Sequence, residues 1–197
     1  MLVRSFATAA RWRAWLQREH ARSTGLWVRI FKKGSGRAGP TYAEILDEAL
    51  CFGWIDGQRK AVDERSFLQR LTPRRPRSLW SKVNLAHAAR LIRAGKMRAA
   101  GRRELEKASA DGRAGAAYDS FSTAKVPADF RRRLAFDPKA SDFFATLNRT
   151  NLYSIVWRLQ TAKRPETRAR RMDAIIEMLR LGKTFHPQKR TPKLSKR

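Results

Sequence analysis

The chain has 197 residues, enough for one substantial hydrophobic core or two small ones, and its 42% hydrophobic content, with 6 Trp and 10 Phe, excludes wholesale disorder. Against 17 Asp and Glu stand 44 Lys and Arg, a formal charge of +27 that attracts nucleic acid, anionic lipid or acidic partners without specifying any of them. A single cysteine, Cys51, excludes an intramolecular disulfide and any multi-cysteine metal site.

Near the start, Arg4, Arg11, Trp12, Arg13 and Trp15 interrupt any secretory pattern. Nowhere does an apolar run reach the roughly 18 residues a membrane helix needs, so a cytoplasmic location is expected. The first predicted helix runs from about Thr8 to Ala21, with Trp12, Trp15 and Leu16 on its core-facing stripe and Gly25 ending the segment. Leu26–Phe31 is rich in β-branched and aromatic residues and too short for an ordinary helix, which predicts a strand. The basic, glycine-rich loop from Lys32 to Pro40 lacks the Gly-Lys-Ser/Thr ending of a phosphate-binding P-loop and reads as a connector.

Thr41 and Glu44 form a capping box, so a helix starts there and carries Ile45, Leu46, Ala49, Leu50 and Phe52 into a core before Gly53 takes the left-handed terminal position. Cys51 lies in this apolar helix end and is expected to be buried packing. From Trp54 to Arg74, two strand-like runs flank the polar turn at Asp63, Glu64 and Arg65. They predict a hairpin that joins the earlier strand in a small antiparallel sheet of about three strands.

Pro73-Arg74-Arg75-Pro76-Arg77 is a stiff basic elbow. After it, Ser78 or Ser81 caps a helix with Val83, Ala86, Leu91 and Ile92 as apolar positions, closed by Gly95, and a further amphipathic segment spans about Met97 to Ala110. The small-residue stretch from Asp111 to Lys125 reads as a linker with Tyr118 and Phe121 as anchors. Helices then begin at Pro127, at Asp137-Pro138, after Thr150-Asn151 and at Pro165. The last two repeat the i, i+3, i+4, i+7 stripe, as Leu152, Ile155, Val156, Leu159 and as Met172, Ile175, Ile176, Leu179. A predominantly helical α+β fold follows, divided into an N-terminal α+β region (1–115), a linker (116–126), a helical domain (127–187) and a disordered basic tail (188–197).

Three blocks carry a family resemblance: Glu48–Gly57; Leu71–Pro76 with Trp80-Ser81; and Arg158–Arg171, which reads RLQTAKRPETRARR. Together they resemble the YdeI/OmpD-associated family. The resemblance implies a bacteriocin-protection or envelope-stress role, association with an outer-membrane porin, and a helical C-terminal part as the defining domain. It implies no settled biochemical activity.

No local motif supplies a catalytic set or a cofactor site. His20, His87 and His186 share no metal-binding spacing, and a Cys51–His87 dyad would bridge distant segments. Asp56, in an Asp-Gly turn after a helix end, could orient Arg74 or Arg75, or act as the acid or base of an enzyme. The strongest functional surface is basic: Arg70, Arg74, Arg75, Arg77 and Lys82, with Trp54, Asp56 and Trp80 near in sequence, a set suited to an anionic ligand or an acidic protein partner. Such a cleft would lie between the N-terminal part and the C-terminal helices. Trp54 and Trp80 could equally be core residues covered by arginine stems. A nucleic-acid alternative would use Arg168, Arg170 and Arg171 with the tail residues Lys189, Arg190, Lys193, Lys196 and Arg197, although no recognised nucleic-acid-binding motif is present.

Overall fold

A computed structural model describes residues 2–188. The chain divides into two compact units, Met1–Ala117 and Tyr118–Arg197.

The first unit contains β1 (Val3–Arg4), α1 (Ala9–Glu19), β2 (Leu26–Phe31), α2 (Tyr42–Cys51), β3 (Trp54–Ala61), β4 (Ser66–Pro73), α3 (Lys82–Arg93) and α4 (Ala99–Ala110). Its sheet has four strands in the order β1-β2-β4-β3. The hairpin β3–β4 and the strand β2 pair as expected, with β2 running antiparallel to β4 from Leu26 opposite Leu71 to Phe31 opposite Ser66. The sheet is mixed rather than purely antiparallel, because β1 adds a parallel edge through Val3 and Arg4 opposite Trp27 and Val28. Two residues are too few to show the alternation by which a strand is read from sequence.

Between Asp56 and Arg59 the β3–β4 register shifts. The buried Gln69 side chain donates to the Gly57 and Gln58 carbonyls there, at 3.0 and 3.3 Å, and so satisfies the disturbed ladder. Helix α1 buries Trp12, Trp15 and Leu16 as its stripe requires. The Trp12 and Trp15 rings stack at 5.2 Å, and Trp54 meets both edge-on. Two of these indoles find acceptors: Trp12 Nε1 donates to the Ile45 carbonyl and Trp54 Nε1 to that of His20.

The capping box of α2 is complete, with Thr41 Oγ1 accepting from the Glu44 amide and Glu44 accepting from the Thr41 amide, and Gly53 takes φ +74°. Ser81 caps α3 through the Asn84 amide. The apolar face of α3 is rotated from the expected one: Ala88 and Leu91 are buried and Leu85 packs against the core, whereas Val83 and Ile92 are exposed. Leu85, Ala88 and Leu91 recur every three residues, a spacing as compatible with one helix face as the Val83-based pattern. Helix α4 approaches α2 closely at Gly101, where a Cβ would stand 2.5 Å from the Cys51 carbonyl oxygen.

The second unit holds α5 (Ala128–Leu134), α6 (Pro138–Phe144), α7 (Arg149–Gln160) and α8 (Pro165–Arg180). Pro127 is the cap of α5 rather than its first residue, and α7 is capped by Asn148, two residues before the expected Thr150-Asn151. The second stripe and, from the first, Ile155 and Leu159 share one core with Phe130 and Leu134, with Leu152 packed against it, whereas Val156 is buried outside this cluster. The segment read as an anchored linker is fastened to α7: Arg149 donates to the Phe121, Ser122 and Ala124 carbonyls, Gln160 exchanges two hydrogen bonds with Asp119, and Tyr118 meets Trp157 edge-on. The tail expected to be disordered lies outside the described residues beyond Gln188.

Candidate anion-binding groove

The basic elbow begins where β4 ends, and three interactions fix its path. The Arg74 amide donates to the Gly53 carbonyl at 3.0 Å, which ties the elbow to the end of α2. Next, the Ser78 amide donates to the Arg75 carbonyl at 3.0 Å, closing a four-residue turn with Pro76 second and Arg77 third. Arg77 sits at φ +64°. This is the arrangement of a type II turn, whose third position favours glycine. Arginine there costs of the order of 1 kcal/mol in backbone strain. Finally, the Arg74 guanidinium lies over the Trp80 ring, 3.5 Å from its centroid, and its Nη1 donates to Ser78 Oγ and the Leu79 carbonyl.

A further arginine, which the sequence reading passed over, holds the bend from another side. Arg113 is buried, its Nε paired with Asp111 at 2.7 Å, and its Nη1 donates to the Ser78 carbonyl at 2.7 Å. The Asp111–Arg113 spacing is the only local signal for it, and nothing in sequence points to Ser78 as its acceptor.

Beside this bend is a groove of about 420 Å³, bounded by Gln58 of β3, Arg70 and Thr72 of β4, and Arg75, Arg77 and Ser78 of the turn. All of its lining residues belong to the first unit. Arg75 and Arg77 are exposed. Arg70 Nε is buried and meets no hydrogen-bond partner among the described residues. Burying a charged donor unpaired is costly, and an anion in the groove beside Arg70 would offset part of that cost through its charge, without touching the buried Nε itself.

The structure therefore brings Arg70, Arg75 and Arg77 to one concavity and distributes the other candidates around it. Arg74 is buried behind the turn, where it supports the bend. Trp54 and Trp80 are core residues, 1% and 2% exposed, so neither presents a ring face for stacking on a ligand. Lys82 is exposed at the first position of α3. Asp56 accepts a 2.7 Å hydrogen bond from the Tyr42 hydroxyl, joining β3 to α2. Burial, and then the Asp56 charge, push the Tyr42 hydroxyl above its ordinary range.

The cysteine and histidine candidates have structural surroundings. Cys51 is fully buried and burial pushes its thiol up, away from the reactive thiolate. His87 Nδ1 lies 2.8 Å from Asp47 Oδ1, and Arg90 reaches the same carboxylate. His186 contacts Ser154 Oγ through Nε2. Of the nucleic-acid set, Arg168 forms a forked pair with Asp129, Arg171 donates to the Arg158 carbonyl, and Arg170 is exposed. Lys189, Arg190, Lys193, Lys196 and Arg197 lie outside the described residues. No helix among the described residues is long and apolar enough to cross a membrane.

Fold and groove together define a strongly basic two-unit protein, α+β in its first unit and helical in its second. The chain belongs to the family described as a domain of unknown function (DUF8412), which matches residues 4–104, and carries at residues 123–182 a domain of the Bacteriocin-protection, YdeI or OmpD-Associated family. No curated protein and no solved structure matches it. Of the three blocks that carry the resemblance in sequence, Arg158–Arg171 falls within the second match and the other two fall within the first. The second match is to a family named for bacteriocin protection.

Proposed function

We propose that the chain is a non-enzymatic resistance or stress factor of the cytoplasm whose first unit holds an anionic small molecule, or the acidic group of a protein partner, in the Arg70–Arg75–Arg77 groove. One observation carries this reading: three guanidinium groups line a single concavity, on a turn braced by Arg74 and Arg113, with Arg70 Nε buried and unpaired. Guanidinium forks suit phosphoryl and carboxylate groups, and a braced turn loses little entropy on binding. Arg77 strengthens the case, because a charged side chain occupies a backbone position that glycine would fill without strain.

Calorimetric titration with pyrophosphate at physiological salt tests it, alongside a salt titration against random duplex and single-stranded DNA. Saturable pyrophosphate binding, with DNA affinity that becomes negligible at physiological salt, supports the small-anion reading. DNA binding that stays tight, with a steep dependence on log salt, supports the nucleic-acid alternative that the +27 charge favours. The Asp56 enzyme alternative falls if Asp56→Asn retains every measurable phenotype.

A further inference from the structure

The second unit carries a different concavity, of about 300 Å³, between α7, α8 and the segment that follows α8. Trp157, Ile175, Met178 and Phe185 supply an apolar lining, and Arg158 and Arg171 stand at its polar side. We propose that this groove binds a small organic acid with an aromatic or branched apolar body, its carboxylate held by Arg158 and Arg171 and its body lying against Trp157, Met178 and Phe185.

Three observations lead there. First, the Arg158 guanidinium is already fixed in place, its Cζ 3.7 Å from the Phe185 ring centroid and its Nη1 on the Ser154 carbonyl, while Arg171 is anchored by Nη1 to the Arg158 carbonyl at 2.7 Å. Two guanidinium groups are thus presented without the ordering cost that long side chains normally impose on binding.

Second, neither arginine has a carboxylate within ion-pair distance among the described residues. Of the other half-buried or ion-paired arginines of this unit, Arg133 pairs with Asp173, Arg168 with Asp129, and Arg180 with Asp137 and Glu177. Burial, and then the like charge of Arg171, lower the Arg158 guanidinium below its ordinary value. An anion between the two groups relieves that repulsion.

Third, the lining pairs a partly exposed Trp157 with a pliant Met178, a surface that accommodates an apolar body of variable shape. The volume lies at the small end of ligand pockets, which suits a compact acid. Charge disfavours the other occupants: the chain's own tail is basic, and a second copy also carries +27.

The test uses the full chain, 4-phenylbutyrate as probe and 4-phenylbutanol as its uncharged match, followed through the Trp157 indole N–H resonance. The acid is expected to saturate and to bind at least about tenfold more tightly than the alcohol. Arg171→Gln abolishes that preference, and Ala174→Leu, which narrows the groove without touching its charges, weakens both probes. Equal binding of acid and alcohol, an undiminished preference in Arg171→Gln, or no saturation up to about 10 mM overturns the proposal. So does a glutamate-rich peptide that shifts the same resonance at lower concentration than the acid.

Discussion

The Arg74 guanidinium lies over the indole of Trp80, its Cζ 3.5 Å from the ring centroid, and this pair sits directly behind the turn that carries Arg75 and Arg77. A buried charge is tolerated there because it faces a π surface and donates to Ser78 and Leu79. Lysine keeps the charge and loses both the guanidinium contact over the ring and the fork. Arg74→Lys is therefore expected to destabilise the first unit by about 1–2 kcal/mol, measured by urea denaturation followed through tryptophan fluorescence.

At Arg77 the backbone and the side chain make opposite demands, which separates folding from binding. Arg77→Gly relieves the left-handed strain at φ +64°, so stability stays within about 1 kcal/mol of the parent or rises. The same change removes a charge-assisted donor from the groove, and pyrophosphate affinity falls about tenfold. Thermal denaturation and calorimetry on one preparation check both halves.

Gly101 is set by the approach of α4 to α2. An alanine Cβ would stand 2.5 Å from the Cys51 carbonyl oxygen and 2.6 Å from that of Leu50, and these backbone atoms terminate a packed helix. Gly101→Ala costs about 1–3 kcal/mol. Gly115→Ala, which meets only the Gly112 carbonyl at 3.7 Å, stays within about 0.5 kcal/mol and serves as the control.

Stability falls on acidification. Burial alone would raise Asp129 and Asp47, but hydrogen bonds from Arg168 and the Phe130 amide, and from Arg90 and His87, outweigh it and leave both carboxyls below their ordinary 3.8. A depressed folded-state value means that the stabilisation is fully present above the unfolded value and is lost as pH falls through the folded one. The melting temperature is thus expected to hold between about pH 7 and 5 and to drop below about pH 4. In Asp129→Asn it is lower at neutral pH, and the acid drop is shallower.

Much of this fold is legible in the sequence because local signals agree with tertiary demand. The Thr41–Glu44 capping box, the glycine at 53 and the two heptad-like stripes each name their own element, and all are realised. Illegible features are those decided by distant partners. Val3 and Arg4 become a strand only because β2 offers its edge, and α3 turns Leu85, Ala88 and Leu91 inward because that face meets the core. In the groove, arginine density between prolines marks the elbow but not which guanidinium faces where. Arg74 goes inward to Trp80, Arg75 and Arg77 face the groove, and Arg113 arrives from 35 residues beyond Ser78.

The most direct measurement is calorimetric titration of pyrophosphate into the parent and into Arg70→Gln/Arg75→Gln at physiological salt. The expected result is saturable binding by the parent that weakens at least about thirtyfold in the double variant while its melting temperature is retained. Equal affinity in the two proteins, or no saturable binding by the parent, would contradict an anion site at the Arg70–Arg75–Arg77 groove.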